Sequence, residues 1–135
     1  ALPGHRDFGH TLATVASQFD ALVALAARDG TLPESRGANG EALGPARVDV
    51  AAQALRIGSL LDAHLPDRPA DRRTLSRLQR LVAAEARPSG ALPFAFGPAP
   101  RQWNSWAAMF ADQALAFAAA PQALRAGRGD DPLIV

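Results

Sequence analysis

Apolar side chains recur at intervals of three and four residues in the first part of the chain, from Thr11 to Arg28. This spacing places them on one face of a helix, so the segment is predicted to be an amphipathic helix. A second helix is predicted from about Arg47 to Leu65, where apolar residues cover more than one face. Such a helix is expected to be buried on several sides.

The third and fourth predicted helices also differ in how much of their surface is apolar. After Asp71, leucines and a valine form a narrow stripe against arginines, so the third helix is expected on an outer surface, with Asp67 or Asp71 as its N-cap. The segment from Trp103 to Ala120 is apolar nearly all round. Because a membrane-spanning helix needs roughly 20 apolar residues, this segment is predicted to be a core helix.

Two loops rich in glycine and proline separate these helices, one from Gly30 to Pro45 and one from Pro88 to Pro100. Their composition is expected to prevent regular structure. No segment shows sustained alternation of apolar and polar residues, so no strand is predicted. The expected fold class is therefore all-α.

Several residues recur at an interval of sixty positions. Gly30-Thr-Leu-Pro33 corresponds to Gly90-Ala-Leu-Pro93, and Gln53-Ala-Leu55 corresponds to Gln113-Ala-Leu115 in the same register without a gap. The interval predicts a repeat in which an amphipathic helix, a loop and an apolar helix form one helical hairpin. The predicted divisions are an N-terminal segment (1–10), a repeat domain (11–120) with units of about 11–65 and 71–120, and a C-terminal tail (121–135).

This helix–loop–helix unit resembles the repeating unit of the α/α toroids, which include the terpenoid cyclases and protein prenyltransferases and share their general shape with carbohydrate-active lyases and hydrolases. The resemblance covers most of residues 11–120 and rests on the G-x-L-P segments and the glutamines that follow them. It implies two hairpins forming an arc of a toroid, whose inner helices are covered by the rest of a longer chain or by another subunit. It transfers no catalytic residue, because the DxDD motif of the cyclases and the zinc-binding cysteine of the prenyltransferases are missing.

The amino-acid composition excludes several kinds of function. The chain has 14 basic and 13 acidic residues, which are interleaved and leave a formal net charge of +1, so no nucleic-acid partner is predicted. It has no cysteine, which excludes disulfides, thiolate metal sites and cysteine nucleophiles. All basic residues other than histidine are arginine. Because alanine, glycine and proline are also abundant, we attribute the use of arginine to GC-rich bacterial codon usage more than to anion binding. No cofactor and no transmembrane segment are predicted.

The first candidate site is the segment Arg101-Gln-Trp-Asn-Ser-Trp106, where a loop enters the fourth helix. Trp103 and Trp106 are three residues apart and could share a face that stacks on a sugar ring or a prenyl chain. Arg101 and Asn104 would supply polar contacts. The alternative is that Asn104 or Ser105 caps the helix while both indoles pack in the core.

Arg47 and Asp49 lie at the corresponding start of the second helix, where Arg47 would contact a ligand and Asp49 could act as a general acid or base. The simpler interpretation of Asp49 is that an aspartate in the first turn stabilises the helix dipole. His5, Asp7 and His10 could be drawn as a metal site, H-x-D-x-x-H, but nothing fixes its geometry. A solvated N-terminal segment is the preferred interpretation, and no metal site is predicted.

Three functions fit these features. The first is a fragment or subunit of a toroid enzyme that acts on a carbohydrate or polysaccharide, because indole and amide groups suit a polyhydroxylated ligand. The second is a toroid that binds an isoprenoid. The third is a non-catalytic helical module that binds protein through its apolar inner face.

Overall fold

The computed structural model describes residues 6–26, 29–65, 71–97 and 102–121. The predicted helices are all present there, but α1 begins three residues before Thr11 and ends at Val23. Its end is tightened because Leu25 and Ala26 donate their N–H groups to carbonyls three residues earlier. In chain order the elements are α1 (Phe8–Val23), β1 (Pro33–Arg36), β2 (Ala42–Ala46), α2 (Val48–His64), α3 (Arg72–Glu85) and α4 (Ser105–Ala119).

Helix α2 is the central helix and packs against each of the other three. Eight of its 17 residues are buried, which confirms the burial predicted on several sides. Three of the eight are alanine, and their small size allows neighbouring helices to approach closely. Gly58 lies where both neighbours come close to α2, because a Cβ atom there would lie 2.5 Å from Leu75 of α3 and 2.8 Å from the Phe19 ring of α1.

Helix α3 lies on the outside, as predicted, and buries only Leu78 and Val82. Its N-cap is Asp71, whose carboxylate accepts hydrogen bonds from the N–H groups of Arg73 (3.1 Å) and Thr74 (3.2 Å). The cap satisfies two of the backbone donors that a helix start leaves unpaired. The alternative cap, Asp67, lies outside the described residues.

The two G-x-L-P segments have matching roles in the structure. Leu32 and Leu92 are both buried in the core. The carbonyl of Leu32 accepts a hydrogen bond from the N–H of Arg47 (3.1 Å), the residue before α2. The carbonyl of Leu92 accepts the equivalent bond from Asn104 (3.3 Å), the residue before α4. Each segment therefore joins the core to the start of the helix that follows it.

The extended segment 93–96 lies between the starts of α2 and α4. On one side, the N–H of Phe96 donates to the carbonyl of Ala46 (3.1 Å). On the other side, the N–H of Phe94 donates to the carbonyl of Gln102 (2.8 Å). The two helices therefore begin next to each other, and because they also pack together they run in the same direction.

The prediction of an all-α fold is wrong. Strands β1 and β2 form a two-stranded antiparallel sheet inside the loop that was expected to lack regular structure. In their connection, the N–H of Gly40 donates to the carbonyl of Gly37 (3.0 Å), and the N–H of Gly37 donates to the carbonyl of Glu41 (2.9 Å). Gly40 has a φ of 85°, so the connection is a type I turn with a G1 bulge, which Asn39-Gly40 favours.

The uninterrupted sixty-residue register is also wrong for the helices. Gln53 is the sixth residue of α2, whereas Gln113 is the ninth residue of α4, so the two glutamines do not occupy equivalent places. The physical reason is the β-hairpin, which makes the stretch from Leu32 to the start of α2 three residues longer than the stretch from Leu92 to the start of α4. The arc of an α/α toroid that was predicted with this register stays unconfirmed.

Candidate functional site

Both candidate tryptophans are exposed to solvent. Trp103 has 53% of its surface accessible and Trp106 has 64%, so the alternative in which both indoles pack in the core is wrong. The predicted cap is confirmed, because the side-chain oxygen of Asn104 accepts a hydrogen bond from the N–H of Trp106 (2.8 Å). Trp103 precedes the cap and pairs antiparallel with Pro93, which fixes its backbone at the entrance to α4.

A shallow depression lies beside Trp103. Its volume is about 590 Å³, it is open to solvent over much of its rim, and its lining residues are Arg87, Ser89, Ala91 and Trp103. Three of these four residues belong to the loop that follows α3. The depression therefore lies between that loop and the indole at the start of α4.

The loop on one side of the depression is a hydrogen-bonded turn. The N–H of Gly90 donates to the carbonyl of Arg87 (2.8 Å), and the N–H of Arg87 donates to the carbonyl of Ala91 (3.2 Å). Gly90 has a φ of 77°, so this is again a type I turn with a G1 bulge. Pro88 at the second position fixes its own φ, so Arg87 and Ser89 project from a constrained backbone.

Neither Arg87 nor Ser89 is among the residues predicted for a site, because helix periodicity says nothing about side chains in a connecting loop. The signal that could have found them is Pro88-Ser-Gly90, which is typical of a type I turn. No local pattern shows that this turn lies beside Trp103. The two are brought together by the pairing of Pro93 with Trp103, ten residues apart in the chain.

Arg47 is surrounded by partners from three segments. Its Nε and Nη2 atoms donate to the two carboxylate oxygens of Asp49, at 2.9 and 2.6 Å, and its Nη1 donates to Glu34 at 2.7 Å. The guanidinium carbon lies 3.6 Å from the centroid of the Phe94 ring, a cation–π contact. The hydrogen bonds to Asp49 are the largest cause of a raised pKa of Arg47. Burial acts against them, and the hydrogen bond to Glu34 adds to them.

These contacts bear on the roles predicted for Arg47 and Asp49. Both oxygens of Asp49 accept hydrogen bonds from Arg47, and every nitrogen of the guanidinium donates to a carboxylate of the protein. Acid or base chemistry at Asp49, or ligand binding by Arg47, would first require breaking this ion pair. In the structure, the contacts of Arg47 with Glu34, Asp49 and Phe94 join β1, the start of α2 and the extended segment.

The exposed side of α4 carries an apolar patch formed by Trp106 and Met109, and the partly buried Phe110 lies beside Trp106. The ring centroids of Trp106 and Phe110 are 6.2 Å apart and tilted by 47°, and Met109 has 41% of its surface accessible. The prediction of a core helix is therefore right for only one face of α4. That face carries the buried residues Ala107, Ala111, Ala114 and Phe117.

Several predicted features lie outside the described residues, namely Arg101, His5 of the H-x-D-x-x-H pattern and the tail beyond Pro121. Within the described residues, no group of three or more histidine and carboxylate side chains is placed to hold a metal ion. No helix in the same part of the chain has the length and apolar character needed to cross a membrane.

Comparison of the chain with protein-family models, curated proteins and solved structures gives no match. The resemblance to the α/α toroids stays a prediction from the sequence.

Proposed function

We propose that this protein binds a carbohydrate in the depression beside Trp103. The observation that carries the proposal is that a half-exposed indole shares this depression with Arg87 and Ser89, which a hydrogen-bonded turn holds in place. An indole offers a flat apolar surface for the C–H face of a sugar ring. A guanidinium and a hydroxyl offer hydrogen bonds to the sugar hydroxyls around that face.

The size and openness of the depression favour a sugar over an isoprenoid. Its volume of about 590 Å³ falls within the range of about 300–1,000 Å³ that is usual for small-molecule sites. Two further cavities lined by described residues have volumes of about 180 Å³ each, below that range. A prenyl chain gains affinity from enclosure in an apolar cavity, whereas a sugar can keep part of its hydroxyls in water.

Binding is proposed without catalysis. Glycoside hydrolysis usually requires two carboxyl groups about 5–10 Å apart on either side of the scissile bond. No acidic side chain is among the described residues that line the depression. The carboxylate considered for catalysis, Asp49, is engaged by Arg47 through both of its oxygens.

Isothermal titration calorimetry with a panel of oligosaccharides tests this proposal, and the chain offers a matched pair of variants. Trp103→Ala and Trp106→Ala each remove an exposed indole, but only Trp103 lines the depression. Trp103→Ala should weaken binding about 10-fold, which corresponds to about 1.4 kcal/mol. Trp106→Ala should change it by less than about 2-fold. Equal effects of the two variants, or no binding of any sugar, would contradict the proposal.

A second candidate function is the binding of another protein through the exposed patch on α4. Aromatic and methionine side chains are enriched in the cores of protein interfaces, and Trp106 and Met109 present both types side by side. The same pair of variants separates this function from the first. In affinity capture, a partner of the patch would be lost with Trp106→Ala and retained with Trp103→Ala, and the opposite result would refute it.

A further inference from the structure

We infer that the sugar bound in this depression carries a carboxylate, as a uronic acid does. The inference rests on the proposed carbohydrate-binding function and specifies the class of sugar. Arg87 lines the depression and gives it a positive charge.

Among the residues that the structure describes, no acid forms an ion pair with Arg87. The other described residues that line the depression are Ser89, Ala91 and Trp103. Arg47 provides the contrast, since its guanidinium donates to carboxylates through every nitrogen. Among the described residues, no acid therefore competes with a ligand for the donors of Arg87.

The geometry of Arg87 suits a carboxylate in particular. A guanidinium presents two parallel N–H groups to the two oxygens of a carboxylate, which gives both affinity and orientation. The N–H and the carbonyl of Arg87 are both used within the turn, so its side chain leaves the backbone at a fixed point. Ser89 adds a second contact, because its Oγ accepts a long hydrogen bond from Ala91 (3.5 Å) and its hydroxyl hydrogen remains to donate.

A uronic acid combines an apolar ring face with an anion at the ring edge. Its carboxylate is attached directly to the ring, so a ring stacked on the Trp103 indole presents the carboxylate sideways. Arg87 and Ser89 line the same depression beside the indole. One ligand can therefore use the indole, the guanidinium and the hydroxyl at the same time.

Calorimetry with matched ligands tests the inference. Oligomers of galacturonate, glucuronate and mannuronate are each compared with their methyl esters, because esterification removes the charge and keeps the ring. At least one free acid should bind about five-fold more tightly than its ester, the upper end of the range for an exposed ion pair. The preference should shrink as the salt concentration rises.

Variants assign the preference to Arg87. Arg87→Gln should abolish the preference for the acid over the ester, and Arg87→Lys should retain part of it, because lysine keeps the charge without the planar fork. Arg80→Gln is the matched control. Arg80 is an exposed arginine on α3 whose Nε donates to the carbonyl of Ser76 (3.3 Å), and it lies outside the depression. Its replacement removes the same charge and should leave the preference unchanged.

The outcomes separate this inference from the proposed function. Equal binding of acid and ester, or binding of neutral sugars alone, would overturn the inference and leave carbohydrate binding intact. A preference that Arg80→Gln reduces as much as Arg87→Gln would reflect overall charge, and it would also overturn the inference. If no sugar of either kind binds, the proposed function fails and the inference fails with it.

Discussion

Replacing Gly58 with alanine is predicted to destabilise the fold, although alanine is the better helix former. Gly58 lies in the interior of α2, where helix propensity alone would favour alanine by about 1 kcal/mol. The added methyl carbon would lie 2.5 Å from Cδ2 of Leu75 and 2.8 Å from Cζ of Phe19. Both distances are well below ordinary carbon–carbon contact, so the Leu75 and Phe19 side chains would have to shift away from α2.

The expected magnitude follows from two opposing contributions. Overpacking of a core position typically costs about 1–3 kcal/mol. The gain in helix propensity offsets about 1 kcal/mol of that cost. We therefore expect a net loss of about 1 kcal/mol, which for a chain of this size lowers the melting temperature by about 3–5 °C.

Gly9 is the matched control, because it is also a helical glycine but lies in α1 with nothing within 4 Å of an added Cβ atom. Gly9→Ala should stabilise the protein by about 0.5 kcal/mol, since it reduces the conformational freedom of the unfolded chain without creating a contact. Urea denaturation followed by circular dichroism of the helical signal measures both changes.

A stabilising effect of Gly58→Ala, equal to that of Gly9→Ala, would refute the close approach of the three helices. A second measurement tests the contact itself. Removing the Leu75 side chain with Leu75→Ala should reduce the cost of Gly58→Ala, so the two substitutions should be non-additive. Strictly additive effects would show that the methyl carbon and Leu75 do not meet.

Three further predictions concern the ion pair, the cap of α3 and the hairpin. Arg47→Met should lower the free energy of unfolding by about 2–3 kcal/mol, because it leaves the part-buried Asp49 unpaired. Adding Asp49→Leu should recover part of this loss in the same denaturation assay. Hydrogen bonds, foremost from the Thr74 hydroxyl, lower the pKa of Asp71 below its ordinary value of 3.8. The charged cap therefore stabilises the protein above pH 3.8, and this stabilisation is lost as the pH falls through the lowered pKa. In melting curves across this pH range, Asp71→Asn should remove that dependence and keep the cap, whereas Asp71→Ala should lose the cap at every pH. Gly40→Ala should cost about 1–2 kcal/mol of unfolding free energy because φ at this position is 85°, and Gly40→Asn should cost less.

Sequence patterns located the helices because helix formation depends mostly on neighbours within a few residues. The caps at Asp71 and Asn104 were both among the predicted alternatives, and each accepts a bond from an N–H two residues later. The burial of α2 followed from apolar residues on more than one face. The exposed patch on α4 could not be predicted in this way, since an apolar side chain is compatible with the core and with an exposed surface.

The hairpin was not predicted although Asn39-Gly40 is a strong turn signal. Its strands, Pro33–Arg36 and Ala42–Ala46, contain no β-branched residue and show no alternation. The two strands support each other by pairing. The last residue of β2, Ala46, also accepts a hydrogen bond from Phe96, fifty residues away in the chain.

Arg47 and Arg87 mark the limit between what local sequence predicts and what depends on the folded chain. The helices and their caps follow from local sequence, because their hydrogen bonds join residues two to four positions apart. Folding places Arg47 between Glu34 and Phe94, and it places Arg87 in an open depression with Trp103. These partners are 13 to 47 residues apart in the chain, and they meet only once the extended segment between α2 and α4 has paired on both sides.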